Sequence, residues 1–112
     1  MIKAIFFDID GTLVSFKNHQ IPASTIESLK KLKEKGIKIF VATGRGKDGL
    51  DILDEIEFDG YITLNGQYCY VDNQIIYENT IKRDDLQKLL NYLDDHPFPC
   101  GFTEEHNKYF NL

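Results

Sequence analysis

Apolar residues fall along this chain in two different textures. Residues 2–7 (I-K-A-I-F-F) and 37–42 (I-K-I-F-V-A) are short runs, rich in β-branched and aromatic side chains, that scarcely alternate with polar ones. Strands covered on both faces read this way, so both runs predict parallel strands of an α/β sheet. Tyr61 to Leu64 is a third such run. Between the first two, Ile26, Leu29 and Leu32 share one helical face, opened by Pro22 or by a Ser24-x-x-Glu27 capping pattern and closed by Gly36. Leu50, Leu53 and Ile56, set among Asp48, Asp51, Asp54, Glu55, Glu57 and Asp59, predict a second, short helix with an acidic wet side. The sum is a Rossmann-like parallel βαβαβ unit with right-handed crossovers.

After Asn65-Gly66 the texture changes. Gln67 to Asp72 and Gln74 to Glu78 flank Asn73 as the two strands of a hairpin. Leu86, Leu89, Leu90 and Leu93 then recur at helical spacing, with Asp84 and Asp85 near the positive end of that helix and His96-Pro97 past its stop. Residues 98–112 are expected to add one or two strands. The division this suggests is a core portion, 1–79, and an α+β segment, 80–112.

Composition narrows the class. With 42% hydrophobic residues and 8 glycines in 112, the chain is globular and neither disordered nor collagen-like. Its longest apolar runs, such as Ala4 to Phe7, hold four residues, against about 18 for a membrane helix. No span or signal peptide is visible, and the expected location is the cytoplasm. The net charge of −5 is uneven, with 8 Lys and Arg against 4 Asp and Glu in residues 1–46 and 5 against 14 afterwards. The one basic cluster, Lys30, Lys31, Lys33 and Lys35, ends a helix, where cations oppose the macrodipole; nucleic acid is not an expected partner. Cys69 and Cys100 lack metal-site spacing and read as reduced, buried thiols.

The chemistry concentrates at strand ends. Asp8-Ile9-Asp10-Gly11-Thr12-Leu13 follows the first strand directly, and ligands of parallel α/β sheets bind beyond the carboxyl ends of strands. A spacing of two on extended backbone aims both carboxylates the same way, and Gly11 lets the chain turn. Two carboxylates about 4 Å apart repel by about 4 kcal/mol at an effective dielectric of 20, so the pair calls for a cation. Oxygen-only ligands point to Mg2+. An EF-hand is excluded, because Gly11 follows Asp10 directly and position 19 is histidine. The second strand ends in Val41-Ala42-Thr43-Gly44-Arg45-Gly46, where a hydroxyl, backbone N–H groups and a guanidinium suit a phosphate. Asn65, at the third strand end, holds a loop against the site, touches substrate or simply turns the chain.

The set D-I-D-G-T-L, V-A-T-G-R and L-N-G-Q, in this order after three strands, resembles the haloacid dehalogenase superfamily of phosphatases, in its Cof-like branch. The resemblance implies that Asp8 is the nucleophile forming an aspartyl-phosphate and Asp10 the acid/base. It implies that Mg2+ is ligated by the Asp8 carboxylate and the Asp10 backbone carbonyl, and that Gly11, Thr12, Thr43, Gly44 and Arg45 surround the phosphoryl group. The implied substrate is a small phosphorylated metabolite, with sugar phosphates one candidate class.

The same family carries a later lysine and a later G-D-x-x-N-D-like acidic motif, and neither follows Arg45 here. The expectation is therefore the front portion of a larger enzyme, with residues from about 80 onward opening a cap. The alternative is a non-catalytic chain that binds metal or phosphate, or that needs a partner chain. Independently, a βαβαβ unit places both helices on one sheet face, so the other is expected to be bare and covered by self-association or by the missing half.

Overall fold

The computed structural model describes residues 1–111. Strand β1 (Ala4–Phe7) runs parallel to β2 (Lys38–Ala42), with Ala4 opposite Lys38 and Phe7 opposite Val41. Strand β3 (Gly60–Thr63) extends the parallel set. The chain then reverses, and β4 (Tyr68–Val71) with β5 (Gln74–Glu78) completes a five-stranded sheet in the order β1-β2-β3-β4-β5. The two-residue loop of that hairpin is Asp72-Asn73, at φ 52° and 60°, the left-handed pair that matches strand twist.

The first crossover is helix α1 (Ala23–Glu34). Pro22 opens it: its carbonyl accepts the Thr25 and Ile26 N–H groups, whereas Ser24 lies inside the helix and caps nothing. At the other end the Ile37 N–H reaches the Leu32 carbonyl and the Gly36 N–H the Lys33 carbonyl, a Schellman closure with Gly36 at φ +77°. The second crossover departs from expectation. Residues Lys47–Leu53 form 3₁₀ turns and not an α-helix. The reason is readable: Leu50, Leu53 and Ile56 recur every three residues, the 3₁₀ repeat, and Gly46 and Gly49 weaken α-helical preference. Asp59 then stitches β3 to β2, its carboxylate accepting the Ile39 N–H at 2.9 Å.

Helix α2 (Arg83–Asp95) matches its leucine pattern, and β6 (Gly101–Thr103) pairs with β7 (Lys108–Phe110) in a separate two-stranded sheet.

Both crossovers cover the same sheet face. Ile39 and Val41 are fully buried there with Ile9, Leu13, Val14, Leu29, Leu53, Ile56 and Phe58. On the opposite face Phe6 is 56% exposed and stacks on Phe40 with ring centroids 4.7 Å apart. One layer covers one face, and the other is bare. The two cysteines are free and half-buried, less enclosed than the sequence suggests.

Candidate active site

The Asp8 loop leaves the carboxyl end of β1. Ile9 is fully buried, so its neighbours turn away from the core: Asp8 is exposed and Asp10 half-buried. The Ile9 carbonyl then accepts three N–H groups, from Thr12, Leu13 and Val14, at 3.2, 3.0 and 2.9 Å. This wraps residues 9–14 into a tight turn that holds both carboxylates at the strand end. Gly11 sits in it at φ +81°, where a Cβ would stand 2.4 Å from the Phe16 ring. Thr12 is exposed on the rim of the same turn. One oxygen of Asp8 accepts the Ile9 N–H at 2.8 Å, its one hydrogen bond among the described residues.

The second loop leaves β2, the strand adjacent to β1. Thr43 is buried; its N–H bonds the Ile62 carbonyl at 2.9 Å and its hydroxyl accepts the Arg45 N–H at 3.0 Å. Gly44 is exposed beside it. The Arg45 side chain crosses to the first loop. Its Nη2 and Nε donate to the two Asp10 carboxylate oxygens at 2.7 and 3.0 Å, and its Nη1 donates to the Gly49 carbonyl at 2.9 Å. This two-pronged hydrogen bond holds the Asp10 carboxyl below the usual carboxylate range, against a smaller opposing effect of burial, and raises Arg45 in turn. The cation that a carboxylate pair calls for is thus met, at Asp10, by Arg45.

The third strand end braces the second loop. Leu64, Asn65 and Gly66 all take positive φ, 47°, 56° and 99°. Non-glycine residues there cost of order 1–3 kcal/mol each and persist only when held by their surroundings. Two hydrogen bonds hold them: Leu64 N–H to the Arg45 carbonyl and Asn65 N–H to the Thr43 carbonyl, both 3.0 Å. Asn65 therefore meets the site through its backbone, with its side chain against Gly44.

Among the described residues no group of three or more His, Cys, Asp or Glu gathers as a metal cage. The Asp8 carboxylate and Asp10 carbonyl are nevertheless hard oxygen donors. A pair of this kind fits Mg2+, which keeps several waters and takes other oxygens from a substrate phosphate.

Sequence reasoning missed one residue. Glu105, between β6 and β7, is 8% exposed and is the one buried charged side chain among the described residues. The same hairpin turn, through Glu104, His106, Asn107 and Lys108, faces Asp10 and Arg45 across a cleft of 710 Å³. His106 pairs with Asp48 at 2.7 Å on its rim. Nothing in the polar stretch Thr103 to Lys108 marks Glu105, because its partners lie 35 to 58 residues away.

Two adjacent parallel strands that deliver a D-x-D turn and a T-G-R loop to one place define a haloacid dehalogenase-like hydrolase. The family model of that description matches residues 5–111, and the chain belongs to this family. Among its relatives is YkrA of Bacillus subtilis, provisionally named a phosphatase and 36% identical over 92% of this chain. Of solved structures, a haloalkanoate-superfamily phosphatase from Bacteroides thetaiotaomicron, BT1666, superposes over the whole chain with a TM-score of 0.93 at 35% identity. A subclass IIB sugar phosphatase, BT4131, is 46% identical over 96% of the chain, with a TM-score of 0.78. The chain spans 40%, 42% and 43% of the length of these three proteins. No helix among the described residues is long and apolar enough to cross a membrane.

Proposed function

We propose that the protein works as a Mg2+-dependent phosphatase of small phosphorylated metabolites, sugar phosphates among them, through an aspartyl-phosphate. The observation that carries this reading is the convergence of Asp8 and Asp10 with Thr43 and Arg45 at the ends of two adjacent parallel strands. The relatives that bear phosphatase names, one of them a sugar phosphatase, support it.

In this mechanism an Asp8 oxygen attacks phosphorus while the ester P–O bond breaks, and Asp10, which takes up a proton from solvent once the phosphoryl group has drawn Arg45 away from it, gives that proton to the departing oxygen. Water then loses a proton to Asp10 and attacks the same phosphorus, releasing phosphate and restoring the Asp8 carboxylate. Thr43, Gly44 and Arg45 hold the phosphoryl oxygens, with the Gly11 and Thr12 turn on the opposite side. The Asp8 carboxylate and the Asp10 carbonyl would hold Mg2+, which would supply charge neutralisation for the nucleophile and the phosphate. An incoming phosphoryl dianion competes with Asp10 for the Arg45 fork, which links substrate entry to the freedom of the acid/base.

Asp8→Asn tests this directly. Because Asp8 is exposed, the variant is expected to keep its melting temperature while losing both Mg2+-stimulated hydrolysis of an aryl phosphate and the hydroxylamine-labile phosphoprotein. Wild-type turnover in Asp8→Asn overturns the assignment. A second reading follows from the share of its relatives that the chain spans: a unit that binds phosphate or metal and turns over only with further polypeptide. Phosphate binding by the wild-type chain without hydrolysis is its signature. In either reading residues 80–112 serve as a cap segment, and the bare sheet face is covered by a second copy or by further chain.

A further inference from the structure

Glu105 reaches donors on three separate elements. Its carboxylate accepts the Thr63 hydroxyl at 2.9 Å, the Lys47 N–H at 3.2 Å and the Tyr70 hydroxyl. Its backbone carbonyl accepts the Asp48 N–H at 3.2 Å, and the Lys47 ammonium stands 4.7 Å from the centre of the Tyr70 ring. Among the described residues no buried side-chain nitrogen or oxygen lacks a partner. A buried carboxylate satisfied in this way resists displacement, because any movement leaves several desolvated groups unpaired.

These bonds seat the β6–β7 turn on the chain immediately after Arg45. Gly46 lies beneath it, so close that a Cβ there would stand 3.0 Å from the Glu105 carbonyl oxygen and 3.1 Å from that of Glu104. The loop from Thr43 to Lys47 is thereby held at both ends, by β3 through the Thr43 N–H and by Glu105 through the Lys47 N–H. Between the anchors Arg45 sends its fork to Asp10.

We propose that Glu105 is a positioning residue: it fixes the Gly46–Lys47 backbone so that Arg45 and the loop N–H groups stay aimed at the phosphoryl position, and it ties the far wall of the cleft to that aim. This rests on the phosphate-site reading above. The role belongs to the acceptor geometry, not to the charge. A glutamine can therefore replace the glutamate, with Oε1 accepting from Thr63 and Lys47 and Nε2 donating to the Tyr70 hydroxyl oxygen.

The test compares the wild-type chain with Glu105→Ala, Glu105→Asp and Glu105→Gln. Inorganic phosphate binding in the presence of Mg2+ is followed by calorimetry, and hydrogen exchange at the Lys47 amide by NMR. Glu105→Ala is expected to weaken phosphate binding by about 10- to 100-fold, as a displacement of about 1 Å does, while Glu105→Gln stays within about threefold of wild type. Lys47 exchange should quicken by about tenfold or more in Glu105→Ala and stay near wild type in Glu105→Gln. Glu105→Asp, one methylene too short to span its donors, should follow Glu105→Ala and replaces it if the alanine variant does not fold. Unchanged affinity in the alanine or aspartate variant, or equal losses in alanine and glutamine, overturns the proposal. A wild-type chain that binds no phosphate defeats the phosphate-site reading, and the positioning role with it. Quickened Lys47 exchange in that case would still show the tether to be real.

Discussion

The portion from β1 to Leu64 and the portion beyond it differ in where their apolar side chains end up. All nine residues of the main buried cluster lie between Ile9 and Phe58. Beyond Gly66 the buried residues, among those described, are Tyr70, Leu93 and Glu105. Ile75, Ile76, Tyr77, Ile81, Tyr92 and Phe110 are each more than half exposed. The first portion is thus a half-covered sandwich with its own core. The second joins it through the β3–β4 ladder and the buried Glu105 carboxylate, and buries few apolar side chains of its own. The apolar core and the candidate site thus lie in the same stretch of chain, while the later segment extends the sheet and shapes the cleft.

Core truncation breaks this contrast most sharply. Leu29, 2% exposed under the sheet, is expected to lose about 2–5 kcal/mol on Leu29→Ala. Leu90→Ala on α2, 40% exposed, should change stability by no more than about 0.5 kcal/mol. Urea unfolding of both variants checks it, and similar losses would mean that the two portions share one cooperative core.

The bare face gives the next effect in size. Burying an exposed large apolar side chain is worth about 1.5–3 kcal/mol, so Phe6→Ser should weaken self-association by about tenfold or more. Sedimentation at micromolar concentration decides it. A folded wild-type chain that stays monomeric would remove a second copy as the cover.

The smallest effect is the acid dependence of the Asp10–Arg45 pair. Asp10 is lowered in the folded state, so its contribution is present above its unfolded value, about 3.9, and is lost as the pH falls through the folded one. The stability gap between wild type and Asp10→Asn should therefore narrow from pH 7 to about pH 3. It should be small throughout, because the carboxylate is 42% exposed. A gap constant over that range would mean that the ion pair adds nothing.

The legible parts of the molecule are those whose cause is local. The parallel strands show as unbroken apolar runs, α1 by its spacing and stop signal, and the hairpin by Asn73 between two apolar stretches. The D-x-D and T-G-R loops stand out because strand ends place them. The 3₁₀ crossover is not legible because, over two turns, a repeat of three looks the same as part of a repeat of 3.6. The Arg45 fork on Asp10 is hidden for another reason: each partner has a credible ligand of its own, phosphate for one and metal for the other. Glu105 was beyond reach, since burial of a lone acid depends on strands brought beside it only by the finished sheet.

The packing of Phe16 against Gly11 bears on how this sequence can drift. A side chain at position 11 would collide with the ring 2.4 Å away and would have to adopt φ +81° as well. The ring, on a side chain 71% exposed, can swing aside, but the backbone penalty remains, and it concerns neither phosphate nor metal. The glycine that makes the D-x-D-G signature recognisable is thus fixed by the backbone of its own turn at φ +81°. A lineage without catalysis that kept this turn would still display the glycine, whereas the two aspartates would be at liberty to change.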